Sequence, residues 1–275
     1  MDITRVKDTE MAQPLPIAAE ADFLGAFEAR SPIEFSSMAG TKVHLFSVEK
    51  CLDRMDDLFA LLSDAESERA AGISNTIRRN AYAASRALLR AALTAASKGV
   101  VPPSAWEFGA GPHGKPYVTA PQGMALHFSL SYTTTLIAIA VSQRLELGVD
   151  IEAVPATISE VPWQVLTRAE RDYIHTLPVN EQFAEFLNIW TIKEAYTKYL
   201  GVGASLDFRK VEVSTEEDLA SARSEAETRL PDPMVKQRTI EVGWQTVVLA
   251  IAGGKLPEGS FVAPAGESVA LLHRV

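Results

Sequence analysis

The sequence predicts an α+β protein built from two similar halves in one chain, each a small antiparallel sheet packed on a long helix. Three observations carry that prediction. Two stretches long enough for major helices, 80–97 and 181–200, lie far apart in the chain. Each is flanked by short alternating apolar segments of strand length. The order of strand, long helix and antiparallel strands nearly repeats on either side of about residue 145, although the sequence itself does not repeat. With 275 residues the chain can bury a large core, as one large domain or two smaller ones.

The elements follow in order. Residues 1–42 mix Pro, Ala, Ser and Glu without clear period and read as a partly ordered extension. The first half, 43–145, opens with the alternating strand Val43-His44-Leu45-Phe46-Ser47-Val48, and a helical stretch follows from Leu52 to Leu62. Ser63-Asp64-Ala65-Glu66 is a capping box that starts another helix. From Asn80 to Ser97 the chain is rich in Ala, Leu and Arg, strong helix formers, until Gly99 and Pro102-Pro103 end the run. Strands are expected at 106–108, 116–118, 126–130 and 136–141, with a turn at 143–146. The second half, 146–275, begins with an acidic strand at 147–152 and continues with helices at 167–176 and 181–200, the latter stopped by Gly201-Val202-Gly203. Strands resume at 209–213, 239–243, 245–251 and 269–272, while the highly charged stretch 214–232 reads as a surface helix or loop. A crevice between two such halves is a common ligand site.

Composition excludes several function classes. The longest apolar run, Leu136 to Val141, is far too short to cross a bilayer, and the N-terminus has no apolar signal core. A lone cysteine, Cys51, excludes an internal disulfide and a cysteine-based metal cluster and fits a reducing, cytoplasmic setting. The formal charge of −9 argues against nonspecific nucleic-acid binding, so a phosphate-bearing ligand needs a local cluster of Lys and Arg.

The chemistry concentrates in two segments. In Gly148-Val149-Asp150-Ile151-Glu152, apolar and acidic residues alternate, so both carboxylates share one face of a strand. In the helix Trp190-Thr191-Ile192-Lys193-Glu194-Ala195-Tyr196-Thr197-Lys198, Glu194 and Lys198 are one turn apart. Glu194 also continues the apolar stripe of Phe183, Phe186, Leu187 and Trp190. Three carboxylates and an ammonium would then meet where strand faces helix, a set suited to a hard divalent cation. The plainer alternatives are a simple Glu194–Lys198 helix pair and a solvated strand face.

Three further segments are candidates for anion contacts. Gly109-Ala110-Gly111-Pro112-His113-Gly114-Lys115-Pro116 contains a literal Gly-x-Gly-x-x-Gly, yet prolines bracket it and a strand follows, so it is a turn presenting Lys115 rather than a dinucleotide fold. Lys115 is a phosphate contact or an exposed turn lysine. In His127-Phe128-Ser129-Leu130-Ser131-Tyr132, the Ser129 and Ser131 hydroxyls can donate to phosphate or simply end the strand, and His127 reads as structural. Arg79, Arg86 and Arg90 share one helix face, with Arg69 upstream, and no acid lies between Thr76 and Trp106 to neutralise them.

Taken together, these residues resemble the 4′-phosphopantetheinyl transferases of the large, single-chain, surfactin-synthetase-activating type. That family has a Gly-(Ile/Val)-Asp-Ile-Glu strand, a Trp-x-x-Lys-Glu-(Ala/Ser)-x-x-Lys helix, an upstream Gly-Lys-Pro turn and a Phe-Asn-(Ile/Leu)-Ser-His-Ser strand. Here they correspond to 148–152, 190–198, 114–116 and 128–133, in family order and spacing. The likeness spans residues 43 to 210. It implies two α+β halves related by a pseudo-twofold axis, and transfer of 4′-phosphopantetheine from coenzyme A to a serine of an acyl or peptidyl carrier protein, releasing 3′,5′-ADP. By the same resemblance Asp150, Glu152 and Glu194 hold Mg2+, with Mn2+ an alternative. Arg69, Arg86, Lys115, Ser131 and Tyr132 contact coenzyme A, Lys198 lies at the pyrophosphate, and Glu194 and Lys198 are catalytic. A cytoplasmic monomer that binds no nucleic acid and no membrane is expected.

The chain departs from the family pattern at Tyr132, which replaces a histidine, and at Ser129, which replaces an asparagine. Tyrosine donates one hydrogen bond but brings no positive charge. Two other function classes stay open at this level: a non-catalytic module that binds coenzyme A or a carrier, and a Mg2+-dependent phosphohydrolase.

Overall fold

A computed structural model describes residues 23–35, 38, 40–157, 159–214, 221–224 and 234–254. The strands in chain order are β1 (Glu28–Glu34), β2 (Thr41–Ser47), β3 (Glu107–Ala110), β4 (Pro116–Ala120), β5 (His127–Tyr132), β6 (Leu136–Ser142), β7 (Glu146–Ala153), β8 (Val211–Ser214), β9 (Ser221–Ser224), β10 (Met234–Val242) and β11 (Gln245–Gly254). The main helices are α1 (Asp64–Ala71), α2 (Thr76–Ala96), α3 (Arg168–His175) and α4 (Val179–Leu200). The expected helix at 52–62 is broken into short turns at Val48–Cys51, Leu52–Arg54 and Met55–Phe59. The strand expected at 269–272 lies outside the described residues, as does most of 214–232, of which 221–224 forms β9 paired with β8.

Two antiparallel sheets face each other. One has the order β1-β2-β6-β5 and the other β10-β11-β7. Side-chain alternation, with period 2 along each strand, decides what lies on each face. Val43 and Leu45 of β2, Ala138 and Ala140 of β6, Val149 and Ile151 of β7, and Leu249 and Ile251 of β11 point inward and form the layer between the sheets. The alternate residues point outward. Phe46, Ile137, Ile139 and Val141 pack against Ala84, Leu88 and Ala91 of α2. Val248, Ala250 and Ala252 pack against Ile192, Ala195, Tyr196 and Tyr199 of α4. Both faces of each sheet are therefore covered, which is why β6 is apolar from Leu136 to Val141 rather than alternating.

Glu28–Glu34, read from sequence as part of a partly ordered extension, is an edge strand antiparallel to β2. Its pairing is irregular at two places, between Glu28 and Arg30 and between Arg30 and Ile33, and Pro32 sits where only an edge strand tolerates it. Ile33 and Phe35 enter the layer between the sheets.

The helix ends follow the sequence signals. Ser63 and Glu66 form both halves of a capping box on α1, and Thr167 and Glu170 do the same on α3. Gly201 closes α4 in the left-handed conformation at φ 74°, with the Gly201 and Val202 amides donating to the Lys198 and Thr197 carbonyls. Residues 111–115 are the turn of the β3–β4 hairpin, with Gly109 and Ala110 paired to Tyr117 and Pro116, as expected once the dinucleotide reading is discarded. No helix among the described residues is long and apolar enough to cross a membrane.

Candidate functional site

The site is set by how closely α4 lies on β7. Gly148 faces the helix, and a Cβ there would fall 1.8 Å from the Ala195 carbonyl oxygen and 2.3 Å from the Tyr199 nitrogen. Only glycine admits that contact, and it brings the helix backbone down onto the strand just where the acidic side chains begin. Asp150 and Glu152 lie on the same face of β7 as Gly148, because the inward positions are taken by Val149 and Ile151.

Asp150 is the centre of the cluster. It is 3% exposed. Its Oδ1 accepts hydrogen bonds from the Lys198 ammonium at 2.6 Å and from the Ser131 hydroxyl at 2.8 Å. Its Oδ2 is buried and has no hydrogen-bond partner. The simple i,i+4 alternative fails: among the described residues Lys198 pairs with Asp150 across the strand–helix interface, not with Glu194. A solvated face for the acidic strand fails as well, given the burial of Asp150.

The two glutamates complete the cluster. Glu152 Oε1 accepts from the Trp190 indole at 3.2 Å. Burial first, and then the charge of Asp150, push Glu152 up to about 7. Burial and the Asp150 charge also raise Glu194, partly offset by Lys198. The one ammonium of the cluster is in contact with Asp150 and acts on the two glutamates only through its charge. As the side chains stand, no group of three His, Cys, Asp or Glu among the described residues is placed to hold a metal ion. The physical reason is visible: Lys198 already occupies Asp150, and Trp190 holds Glu152. The donor chemistry nonetheless fits a hard cation, since a buried carboxylate oxygen has no partner and both glutamates are disfavoured as anions.

The β5 residues reach the cluster from the other sheet. Ser131 donates to Asp150, and Ser129 accepts the Val149 amide at 2.9 Å, so β5 is stitched to β7 at two successive positions on the face it shares with Ala138 and Ala140. Tyr132 follows and is 40% exposed. The Ser129 link is structural and was not anticipated from sequence; the signal available was a polar residue at a strand position that the structure buries.

The other expected anion contacts fall in two groups. Arg69 and Arg86 both stack on the Tyr82 ring, at 5.7 and 5.5 Å. Among the described residues neither has a carboxylate partner, and Arg86 Nε is buried without an acceptor. They form a basic pair able to take an anion. Arg90 does not join them. It is buried, forks onto Glu66 at 2.8 and 2.9 Å, and donates to the Pro103 and Trp106 carbonyls. The acid that neutralises it comes from the α1 capping box, upstream of the acid-free window.

Lys115 is neither an exposed turn lysine nor a side chain reaching into open solvent. Its ammonium donates to Glu146 at 3.1 Å and to the Tyr199 carbonyl at 2.9 Å, and the side chain packs on Gly201. A cation there stabilises the carbonyl end of α4. Glu146 also bonds His127 at 2.6 Å, so His127 is structural, as expected.

A family model described as the 4′-phosphopantetheinyl transferase superfamily matches residues 146–252. The 4′-phosphopantetheinyl transferase AcpT of Salmonella typhimurium is 31% identical over 159 residues, covering 56% of this chain and 73% of that protein. The 4′-phosphopantetheinyl transferase of Bacillus subtilis is 29% identical over 126 residues, covering 46% and 55%. The 4′-phosphopantetheinyl transferase pptA of Paxillus involutus is 30% identical over 125 residues, covering 38% and 48%. This chain spans about half the length of the last two relatives.

Proposed function

Because the chain belongs to the 4′-phosphopantetheinyl transferase superfamily, we propose that it moves 4′-phosphopantetheine from coenzyme A to a serine hydroxyl of an acyl or peptidyl carrier protein. The observation that supports this most is the buried Asp150 cluster, in which strand and helix gather three carboxylates and one ammonium. The serine oxygen bonds to the β-phosphorus of the pyrophosphate, the bond from that phosphorus to the bridging oxygen breaks, and 3′,5′-ADP leaves with that oxygen.

Each residue then has a task. Glu194, raised by burial and by Asp150, is a stronger base than an ordinary glutamate and accepts the serine proton, directly or through water. Lys198 stabilises charge on the departing phosphate. Asp150, fixed by Ser131, holds Lys198 in place. Arg69 and Arg86 bind a phosphate of coenzyme A, and Tyr132 donates where a histidine stands in the family pattern. Lys115 supports the nucleotide end of the site through α4, whose last turn it caps. Asp150, Glu152 and Glu194 are the residues that would hold Mg2+ or Mn2+. When bound, such an ion supplies Lewis-acid polarisation of the pyrophosphate. The same reading takes 43–145 and 146–275 as like halves about a pseudo-twofold axis, and the protein as a cytoplasmic monomer.

Intact-mass measurement of candidate carriers, after incubation with coenzyme A and Mg2+, tests the reaction directly. One serine should gain the phosphopantetheine mass. Glu194→Gln and Asp150→Ala should each lower transfer by at least about 100-fold while retaining wild-type circular dichroism. Transfer near the wild-type rate by either variant removes the assigned roles.

A further inference from the structure

The chain exposes an indole that its own fold does not use. Trp244 is 84% exposed. It sits in the two-residue turn Gly243-Trp244, between the paired residues Val242 and Gln245, with Gly243 at φ 62°. Such a turn leaves little freedom. The next residue is anchored: the Thr135 hydroxyl donates to the Gln245 side-chain oxygen at 3.0 Å. On β7's side the Val154 amide donates to the Thr246 carbonyl at 2.9 Å. The turn is thus tied to both sheets through Gln245 and Thr246, and the indole it carries stands in solvent.

Its position matters more than its exposure, since single exposed apolar residues are ordinary. Thr135 belongs to the β5–β6 turn, three residues after Tyr132, and β11 places Val248 opposite Glu152. The Trp244 turn, the Tyr132 turn and the exit of β7 therefore form one rim, at the end of the sheets that carries the acidic cluster.

We propose that Trp244 is a docking anchor for the acceptor protein, whose apolar surface beside the reactive serine covers this rim. The inference rests on the transfer reading above, because only a macromolecular acceptor must press against the rim to deliver a hydroxyl to Asp150 and Glu194. A large ring with few rotatable bonds, carried on an anchored turn, loses little entropy on binding, which makes it an efficient anchor. Trp and Tyr are the residue types that most often dominate such contacts.

The test varies acceptor concentration at saturating coenzyme A for the wild type, Trp244→Ala and Trp244→Phe. The Ala variant should raise the KM for acceptor about tenfold and leave kcat and the KM for coenzyme A unchanged, with the Phe variant in between. Tryptophan emission should shift to the blue when acceptor is added without coenzyme A, and most of that shift should be lost in Trp244→Phe. An unchanged acceptor KM in the Ala variant overturns the docking anchor while leaving the transfer reading intact. Absence of transfer by the wild type overturns the reading and the anchor with it. A blue shift that appears on raising the concentration of this chain alone assigns the rim to self-association and overturns the proposal.

Discussion

Asp150 shows how much chemistry one side chain can organise once its neighbours are fixed. Its partners come from three places: Ser131 from β5, Lys198 from α4, and Gly148 from its own strand, which admits the helix. The alternation of Gly148, Asp150 and Glu152 was legible in sequence, because period 2 is a local property. The partner of Lys198 was not. Helical spacing put Glu194 beside it, and only the packing of α4 on β7 shows that Asp150 wins. The partners of Arg90 and Lys115 were hidden for the same reason, since Glu66 and Glu146 lie 24 and 31 residues away in sequence. Gly148→Ala is the sharpest residue-level test. Its methyl would meet the α4 backbone at Ala195 and Tyr199, where no flexible side chain can yield, so the cost should exceed the roughly 1–3 kcal/mol usual for overpacking. Denaturant titration should show that loss, and phosphopantetheine transfer should fall with it as α4 lifts from Asp150.

At the scale of elements, α4 is held from several directions. Lys193 is fully buried; its ammonium donates to Glu170 of α3 at 2.6 Å and to the Val165 and Phe208 carbonyls. Glu170 in turn accepts the Val213 amide of β8 and the Thr167 amide at the start of α3. This network fixes the roll of the helix and so the direction in which neighbouring Glu194 points. Lys193→Met should destabilise by about 3–5 kcal/mol, because it leaves Glu170 buried without its cation, and equilibrium unfolding in urea would measure it. Stability close to wild type would mean that the pair contributes little to holding α4. Long helices and well-capped ends were readable from sequence, because Ser63, Glu66 and Gly201 announce them locally. The strand β1 was not, since Ser31-Pro32 breaks its alternation and its pairing is irregular.

For the whole molecule, one acid-sensitive junction stands out where the β3–β4 turn, β5, β7 and the end of α4 meet. Burial alone would raise Glu146, but the hydrogen bond from His127 and the charge of Lys115 outweigh it, leaving its carboxyl below the usual 4.5. A depressed carboxylate adds stability that is fully present above the unfolded value and lost as pH falls through the folded one. Urea midpoints should therefore drop on acidification below about pH 4.5 more steeply for the wild type than for Glu146→Gln. Parallel profiles would show that the junction does not govern acid unfolding. The division into sheets and helices was legible at this scale. Their face-to-face stacking was not, because an apolar strand such as β6 looks the same whatever covers it.

That stacking has a mechanical corollary. The oily seam shared by Val43, Leu45, Ala138, Val149, Leu249 and Ile251 is filled from both sides of the short connection at 143–145. Peptide continuity across that connection is thus a minor part of what keeps the molecule together. A protease nick there would leave two fragments clasped to each other, with the acidic cluster still roofed by its helix.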